Sequence, residues 1–143
     1  MFDRLMVAGA LAAGLAFAAP VQARDERRDT REAMGMTKGE ERLAKMLEGR
    51  VAGEPQTCIH DFQSRGTTII DRTALVFKVG DTLWVNRTRN PDAIDDDDRL
   101  VIRKFNATRT CRYEPVTTQQ RQTGFYTGNL FLTDFVPYRR VDD

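Results

Sequence analysis

A two-residue alternation of apolar and polar side chains, which begins near residue 54, is the strongest constraint on the fold. Leu75, Phe77 and Val79 recur at every second position, and successive side chains of a strand point to opposite faces of a sheet. Gly80 and Asp81 follow as a two-residue turn with glycine first, which is typical of a β-hairpin. The same pattern predicts seven strands, at residues 57–62, 67–71, 74–79, 82–87, 99–105, 108–114 and 129–136, with a polar loop at 119–124. We therefore expect a mainly β fold, a small antiparallel barrel or sandwich of about seven short strands with one short N-terminal helix.

The chain has two cysteines, Cys58 and Cys111, and they fall in the first and the sixth predicted strand. In an exported protein an even cysteine count favours a disulfide, whereas a thiol oxidoreductase keeps its pair close together as C-x-x-C. Closing the long loop between them would restrain the unfolded chain by roughly 4 kcal/mol in the entropy model. We predict a Cys58–Cys111 disulfide, which requires these two strands to be near neighbours, and two free buried thiols are the alternative.

The N-terminus has the pattern of a secretory signal. Residues 5–19 are fifteen uncharged, Ala-rich positions, which is short of the roughly 20 that a transmembrane helix needs. Val21-Gln22-Ala23 has the small-x-small form of a cleavage site, and a charged run begins at Arg24. We expect residues 1–23 to be a signal peptide cleaved between Ala23 and Arg24, and a mature chain without a transmembrane segment. The composition of the signal favours a periplasmic or secreted bacterial protein, and an uncleaved anchor or a buried helix is the alternative.

Residues 24–53 are predicted to be a charged, partly disordered arm with one short helix at 38–48. Thr37 and Glu40 form a capping box at its start. The helix has one narrow apolar face, made of Leu43, Met46 and Leu47. Because helices shorter than about 12–15 residues are marginal in water, it must dock or fray. It could lie on the edge of the β domain, expected at 54–141, or the arm at 24–50 could bind an envelope protein partner or stay disordered.

Five acidic residues form the densest charge cluster of the chain: Asp92, Asp95, Asp96, Asp97 and Asp98. Calcium prefers several carboxylates on a flexible loop, but the glycine and the bidentate glutamate of an EF-hand are missing here. Arg99 follows directly and would repel a cation. We predict a solvated loop without a metal, and a weak divalent-ion site is the alternative.

His60-Asp61 is the one pairing that could begin acid–base chemistry. Adjacent residues of a strand point to opposite faces, so a side-by-side relay is not expected. The aromatic residues are expected to lie mostly in the core; the set is Phe62, Trp84, Phe105, Tyr113, Phe131, Phe135 and Tyr138. A ligand groove lined by Trp84 and Arg87 is an alternative for part of that set.

The charge balance excludes several classes of partner. Lys and Arg total 22 against 21 Asp and Glu, a net charge of +1, whereas nucleic-acid-binding and polybasic membrane-surface proteins usually carry a basic excess. One His and two Cys exclude a structural zinc site. We therefore expect no cofactor, and no catalytic or cofactor-binding residue is assigned.

Four short segments form a pattern: C-I at Cys58-Ile59, an aromatic residue followed by V-N-R at Trp84–Arg87, a second cysteine at Cys111, and F-V-P-Y at Phe135–Tyr138. This pattern resembles that of a family of small exported proteobacterial proteins known only by a domain of unknown function. The second cysteine pair that such proteins often carry has no counterpart here. The resemblance implies export and a β-rich fold, and no activity.

The leading hypothesis is an exported, periplasmic or secreted β-domain protein without catalytic activity, acting as a binding or envelope-associated module. The alternative is an enzyme or a divalent-ion-dependent protein that uses the 92–98 loop or His60.

Overall fold

The computed structural model describes residues 35–60 and 66–141. The predicted signal cleavage between Ala23 and Arg24, the first part of the arm and Asp61 lie outside the described residues. The described elements are one helix, α1 (Lys38–Met46), and ten strands: β1 (Arg50–Ala52), β2 (Cys58–His60), β3 (Thr67–Ile70), β4 (Ala74–Val79), β5 (Thr82–Asn86), β6 (Asp98–Ile102), β7 (Arg109–Cys111), β8 (Val116–Gln120), β9 (Tyr126–Leu130) and β10 (Val136–Arg140).

The fold is mainly β, as predicted, and the paired strands run antiparallel. A five-stranded sheet has the order β1-β10-β5-β4-β3, a three-stranded sheet has the order β6-β8-β9, and β2 pairs with β7. The sheets do not close on themselves, so the barrel alternative is wrong, and the arrangement is consistent with a sandwich. Both larger sheets therefore keep free edges, at β1 and β3 in one and at β6 and β9 in the other.

Three strand assignments need correction. β8 occupies part of the expected polar loop at 119–124, because its threonines and glutamines pair with β6 on one side and β9 on the other. The strand expected at 129–136 is two strands, since the chain leaves the three-stranded sheet after β9 and crosses to the five-stranded sheet as β10. β1 lies within the segment that the sequence assigned to the arm, and it pairs with β10.

The larger hydrophobic cluster lies between the two sheets. Phe77 of β4 and Phe135 are fully buried and meet edge to face, with ring centroids 5.5 Å apart. Ile94, from the acidic loop, is 1% exposed in the same cluster, so this loop is anchored by an apolar side chain between its carboxylates. The other buried members are Ile59, Leu75, Val116, Leu130 and Leu132.

The second cluster lies on the opposite face of the five-stranded sheet, and α1 covers it. Leu43 is 1% exposed and packs with a set of sheet residues: Ile70, Ala74, Val76, Leu83 and Val85. Met46 and Leu47 flank it, so the predicted apolar face is the one that docks. The helix docks on the β domain, as the first alternative predicted, and it lies on a face of the five-stranded sheet; it ends at Met46 rather than at 48, ahead of β1 at Arg50.

The start of α1 approaches the β3–β4 turn so closely that only glycine fits there. A Cβ on Gly39 would lie 1.8 Å from Thr73 Oγ1 and 2.7 Å from the Asp71 carbonyl oxygen. The Thr37 hydroxyl accepts a hydrogen bond from the Glu40 N–H at 3.2 Å, which is one of the two bonds of the predicted capping box, while the Glu40 carboxylate accepts from the Arg87 guanidinium. The contact between Gly39 and the β3–β4 turn thus fixes the position of the N-terminus of α1.

Cys58 and Cys111 form a disulfide, with an S–S distance of 2.01 Å. They are direct partners in the β2–β7 pair, and their Cα atoms are 4.0 Å apart. The prediction that an early strand lies beside a late one is therefore confirmed. The bond joins positions 53 residues apart at one end of the sandwich.

Candidate functional site

A cleft opens where the edge of one sheet faces the edge of the other. Its lining residues come from the edge strands β3 and β6 and from the segments that follow β6 and β8: Thr67, Ile69, Arg99, Leu100, Ile102, Lys104 and Arg121. The cavity measures about 430 Å³. That size lies within the range of about 300–1,000 Å³ that small-molecule sites occupy. This set of residues is called the inter-sheet cleft below.

Three cationic side chains line the inter-sheet cleft beside aliphatic ones. The Arg99 guanidinium donates to Gln119 Oε1 at 2.8 and 3.2 Å, and the Arg121 guanidinium donates to the carbonyl oxygens of Asp98 and Asp96 at 3.2 and 3.0 Å. These acceptors are neutral, and neither arginine forms an ion pair with a carboxylate of the described residues. Each guanidinium is therefore held in place by neutral acceptors, and no carboxylate oxygen of the described residues lies within 4.0 Å of it, a combination that suits an anionic ligand.

The floor of the inter-sheet cleft is aliphatic. Ile69, Leu100 and Ile102 are half-buried and pack against the inter-sheet cluster. Thr67 adds a buried hydroxyl oxygen that has no hydrogen-bond partner among the described residues. A buried polar group without a partner costs free energy, so a ligand atom that bonded to Thr67 Oγ1 would remove that cost.

None of these cleft residues was selected as a candidate from the sequence. They come from three stretches of the chain, 67–69, 99–104 and 121, so no single local spacing connects them. One signal was available, since the predicted strand at 99–105 has Arg99 at its start and Arg103 and Lys104 near its end, around an aliphatic centre. That pattern is common at strand ends and does not by itself indicate a site.

The aspartates of the acidic loop have different surroundings in the structure. Carboxylate oxygens of Asp95 and Asp96 lie within 4.8 Å of one from Asp71, a residue that no sequence pattern connects with the acidic loop. Asp71 comes from the β3–β4 turn, and all three side chains are exposed. Arg42 of α1 lies 3.7 Å from Asp96 and offsets part of the negative charge. These three carboxylates could coordinate one divalent ion.

The remaining acidic residues of the loop have other surroundings. Asp98 is 6% exposed at the start of β6, and its carboxylate accepts a short hydrogen bond from the Thr127 hydroxyl. The Asp97 N–H donates to Asp95 Oδ1 at 2.9 Å, which forms a local turn. Asp92 lies in a short 3₁₀ helix, Pro91–Ala93. The five aspartates therefore do not converge on one point.

The other candidate residues are also separated. His60 is exposed at the end of β2 and stands opposite Arg109. Trp84 packs against the inter-sheet cluster, whereas Arg87 pairs with Glu40 of α1, so these two residues do not line a common groove. The expectation that the aromatic residues lie mostly in the core is wrong for Phe105, Tyr113 and Phe131, which are 56–69% exposed.

The chain matches no protein-family model, no curated protein and no solved structure. Among the described residues, no helix combines the length and the apolar composition that crossing a bilayer requires. The function of the inter-sheet cleft must therefore be inferred from its own side chains.

The Trp84–Arg87 segment of the resemblance has a structural explanation in this chain. Asn86 is fully buried, and its side chain accepts from the Thr133 N–H at 3.0 Å and donates to the Thr133 carbonyl oxygen at 2.7 Å. The Asn86 side chain thereby bonds both backbone groups of Thr133, as a neighbouring strand would, and fixes the segment that connects β9 to β10. Arg87 forms a bidentate pair with Glu40 at 2.5 and 3.1 Å, and this hydrogen bonding holds the pKa of the Glu40 carboxyl below its ordinary value.

Asn86→Ala is expected to lower the free energy of unfolding by about 1–3 kcal/mol, because it leaves partly buried backbone groups of Thr133 without these partners. Asn90 offers a matched control, since its side chain also makes two bonds to the backbone, with Asn129 and Phe131, and both of these bonds are exposed. Asn90→Ala should cost less than about 1 kcal/mol, since water can replace the lost bonds. Urea denaturation of both variants measures the difference, and equal losses would contradict the role assigned to Asn86.

Proposed function

We propose that this chain is an exported bacterial β-sandwich protein without catalytic activity, which binds a small anionic compound in the inter-sheet cleft. The observation that carries the proposal is the pair of arginines, Arg99 and Arg121, whose guanidinium groups are oriented by neutral acceptors and form no ion pair with a carboxylate of the described residues. A positioned cationic group beside an apolar floor attracts an anion and requires little reorganisation when the anion binds.

The chemistry of the lining supports binding rather than catalysis. The cleft residues that the structure describes include no carboxylate, histidine or cysteine, which are the side chains that most often act as a general base or nucleophile at neutral pH. The hydroxyl of Thr67 has no base beside it that could activate it as a nucleophile.

Export is supported by three features of the chain. The apolar run at 5–19, followed by Val21-Gln22-Ala23, has the form of a cleavable signal. The Cys58–Cys111 disulfide suits an oxidising compartment. The resemblance to a family of exported proteobacterial proteins agrees with a periplasmic or secreted location.

A divalent-ion-dependent protein is the second candidate, and the convergence of Asp71, Asp95 and Asp96 is the observation that favours it. Calcium binding to these carboxylates would stabilise the folded state by mass action and raise the melting temperature. Asp71→Asn should abolish that shift, while Asp92→Asn, outside the cluster, should leave it unchanged.

Expression of the full chain in a bacterium, followed by periplasmic extraction, tests the proposed function. The intact mass should correspond to a chain that begins at Arg24 and contains one disulfide. Native mass spectrometry of the same extract should show a fraction of the protein with a bound small molecule, and Arg99→Gln with Arg121→Gln should reduce that fraction. Arg89→Gln, which removes a charge outside the inter-sheet cleft, is the matched control. A full-length chain retained in the membrane would contradict export, and equal ligand content in all variants would contradict the cleft as the binding site.

A further inference from the structure

We infer that the ligand of the inter-sheet cleft is an anionic amphiphile, a single acidic head group on an unbranched aliphatic tail. This inference rests on the proposed binding function and specifies the ligand class. It follows from the way charge, aliphatic surface and one unpartnered hydroxyl are distributed over a single cavity.

The head group would be recognised at the cationic rim. Arg99 and Arg121 each keep N–H groups beyond those that bond to Gln119 and to the backbone of the acidic loop. Guanidinium groups match the planar oxygens of a carboxylate or phosphate better than any other side chain does. Lys104 also lines the cavity.

The tail would lie along the aliphatic floor. Ile69 on β3 and Leu100 and Ile102 on β6 line the cavity from opposite sheets, and all three are only partly covered by the protein. Because β3 and β6 are the free edges of their sheets, no further strand covers this surface in the described part of the chain. A small inorganic anion would leave that apolar surface in contact with water, whereas an aliphatic tail would bury it.

Thr67 supplies the observation that is independent of charge. Its hydroxyl oxygen is buried at the β3 side of the cavity and has no partner among the described residues. A hydroxyl can donate to an anionic oxygen, so a ligand oxygen that reached this group would satisfy it. The cleft therefore offers donors of two kinds, guanidinium and hydroxyl, beside one aliphatic surface.

Isothermal titration of the mature protein with dodecanoate, below its critical micelle concentration, tests this inference. Dodecanol and dodecyltrimethylammonium have the same tail with a neutral and a cationic head, and they should bind at least tenfold more weakly. Octanoate should bind more weakly than dodecanoate, by roughly fourfold for each methylene group removed from the floor.

Arg99→Gln should weaken dodecanoate binding about tenfold, and Arg89→Gln should leave it unchanged. Thr67→Val, which removes the hydroxyl at nearly constant volume, should also weaken it.

Each other outcome overturns the ligand class. Equal binding of dodecanol and dodecanoate would show that the arginines do not select the head group. Phosphate or acetate binding as tightly as dodecanoate would show that the floor is not used, and the proposed binding function would then still stand. Binding to anionic phospholipid vesicles without binding of monomeric dodecanoate would assign the cleft to a membrane surface instead. If no compound binds while the periplasmic extract shows a retained molecule, the amphiphile is wrong and the binding function survives; if the extract shows none either, both fail.

Discussion

Cys58→Ala is expected to lower the free energy of unfolding by about 2–5 kcal/mol. The disulfide restrains an unfolded chain that would otherwise be free over the 53 positions that separate the two cysteines. It also holds the two-stranded β2–β7 pair together, which consists of only three residue pairs. A two-stranded pair of this length is not stable by itself, so loss of the bond should release this end of the sandwich. Denaturation in urea, followed by far-ultraviolet circular dichroism, measures the loss.

Further variants, chemical reduction and thiol labelling test this prediction. Cys111→Ala should cost the same as Cys58→Ala, and the double variant should add little, because either change removes the one bond that the residues share. Wild-type protein treated with dithiothreitol should lose a similar amount. Thiol labelling of the exported, denatured and unreduced protein should give no reactive cysteine, and two labelled thiols per chain would show that the bond is absent.

Leu43→Ala is expected to lower the free energy of unfolding by about 2–5 kcal/mol, the usual range for truncation of a buried leucine. Leu43 is 1% exposed between α1 and the face of the five-stranded sheet that carries Ala74, Val76 and Val85. A helix of nine residues has little stability of its own, so its contact with the sheet is what keeps it folded. The variant should therefore lose helix signal as well as stability.

Lys45→Ala is the control for helix propensity, because Lys45 is exposed on the same helix and both residues favour helices. It should change stability by less than about 0.5 kcal/mol. A Leu43→Ala variant as stable as the wild type would show that the helix does not need the sheet. The arm at 24–50 would then be available to bind an envelope protein partner, which is the alternative that its charged sequence left open.

The sequence determined those features that depend on neighbours along the chain. The alternation around Gly80 predicted the β4–β5 hairpin, in which Val79 pairs with Thr82 and Gly80 adopts a positive φ of 58°. The capping box predicted where α1 begins, and its apolar spacing predicted that Leu43 faces the protein. The two cysteines predicted which early and late strands meet, because a disulfide is a contact that the sequence can specify alone.

Only the tertiary structure decided features that join distant segments. The polar strand β8 could not be recognised as a strand because its partners, β6 and β9, supply the hydrogen bonds that stabilise it. The crossing between β9 and β10 depends on Asn86, 47 positions from Thr133. In the same way, Asp71 joins Asp95 and Asp96 from another turn. The inter-sheet cleft exists because β3 and β6 are free edges of an open sandwich, and side-chain periodicity determines which face of a strand is buried but not which strand lies at an edge.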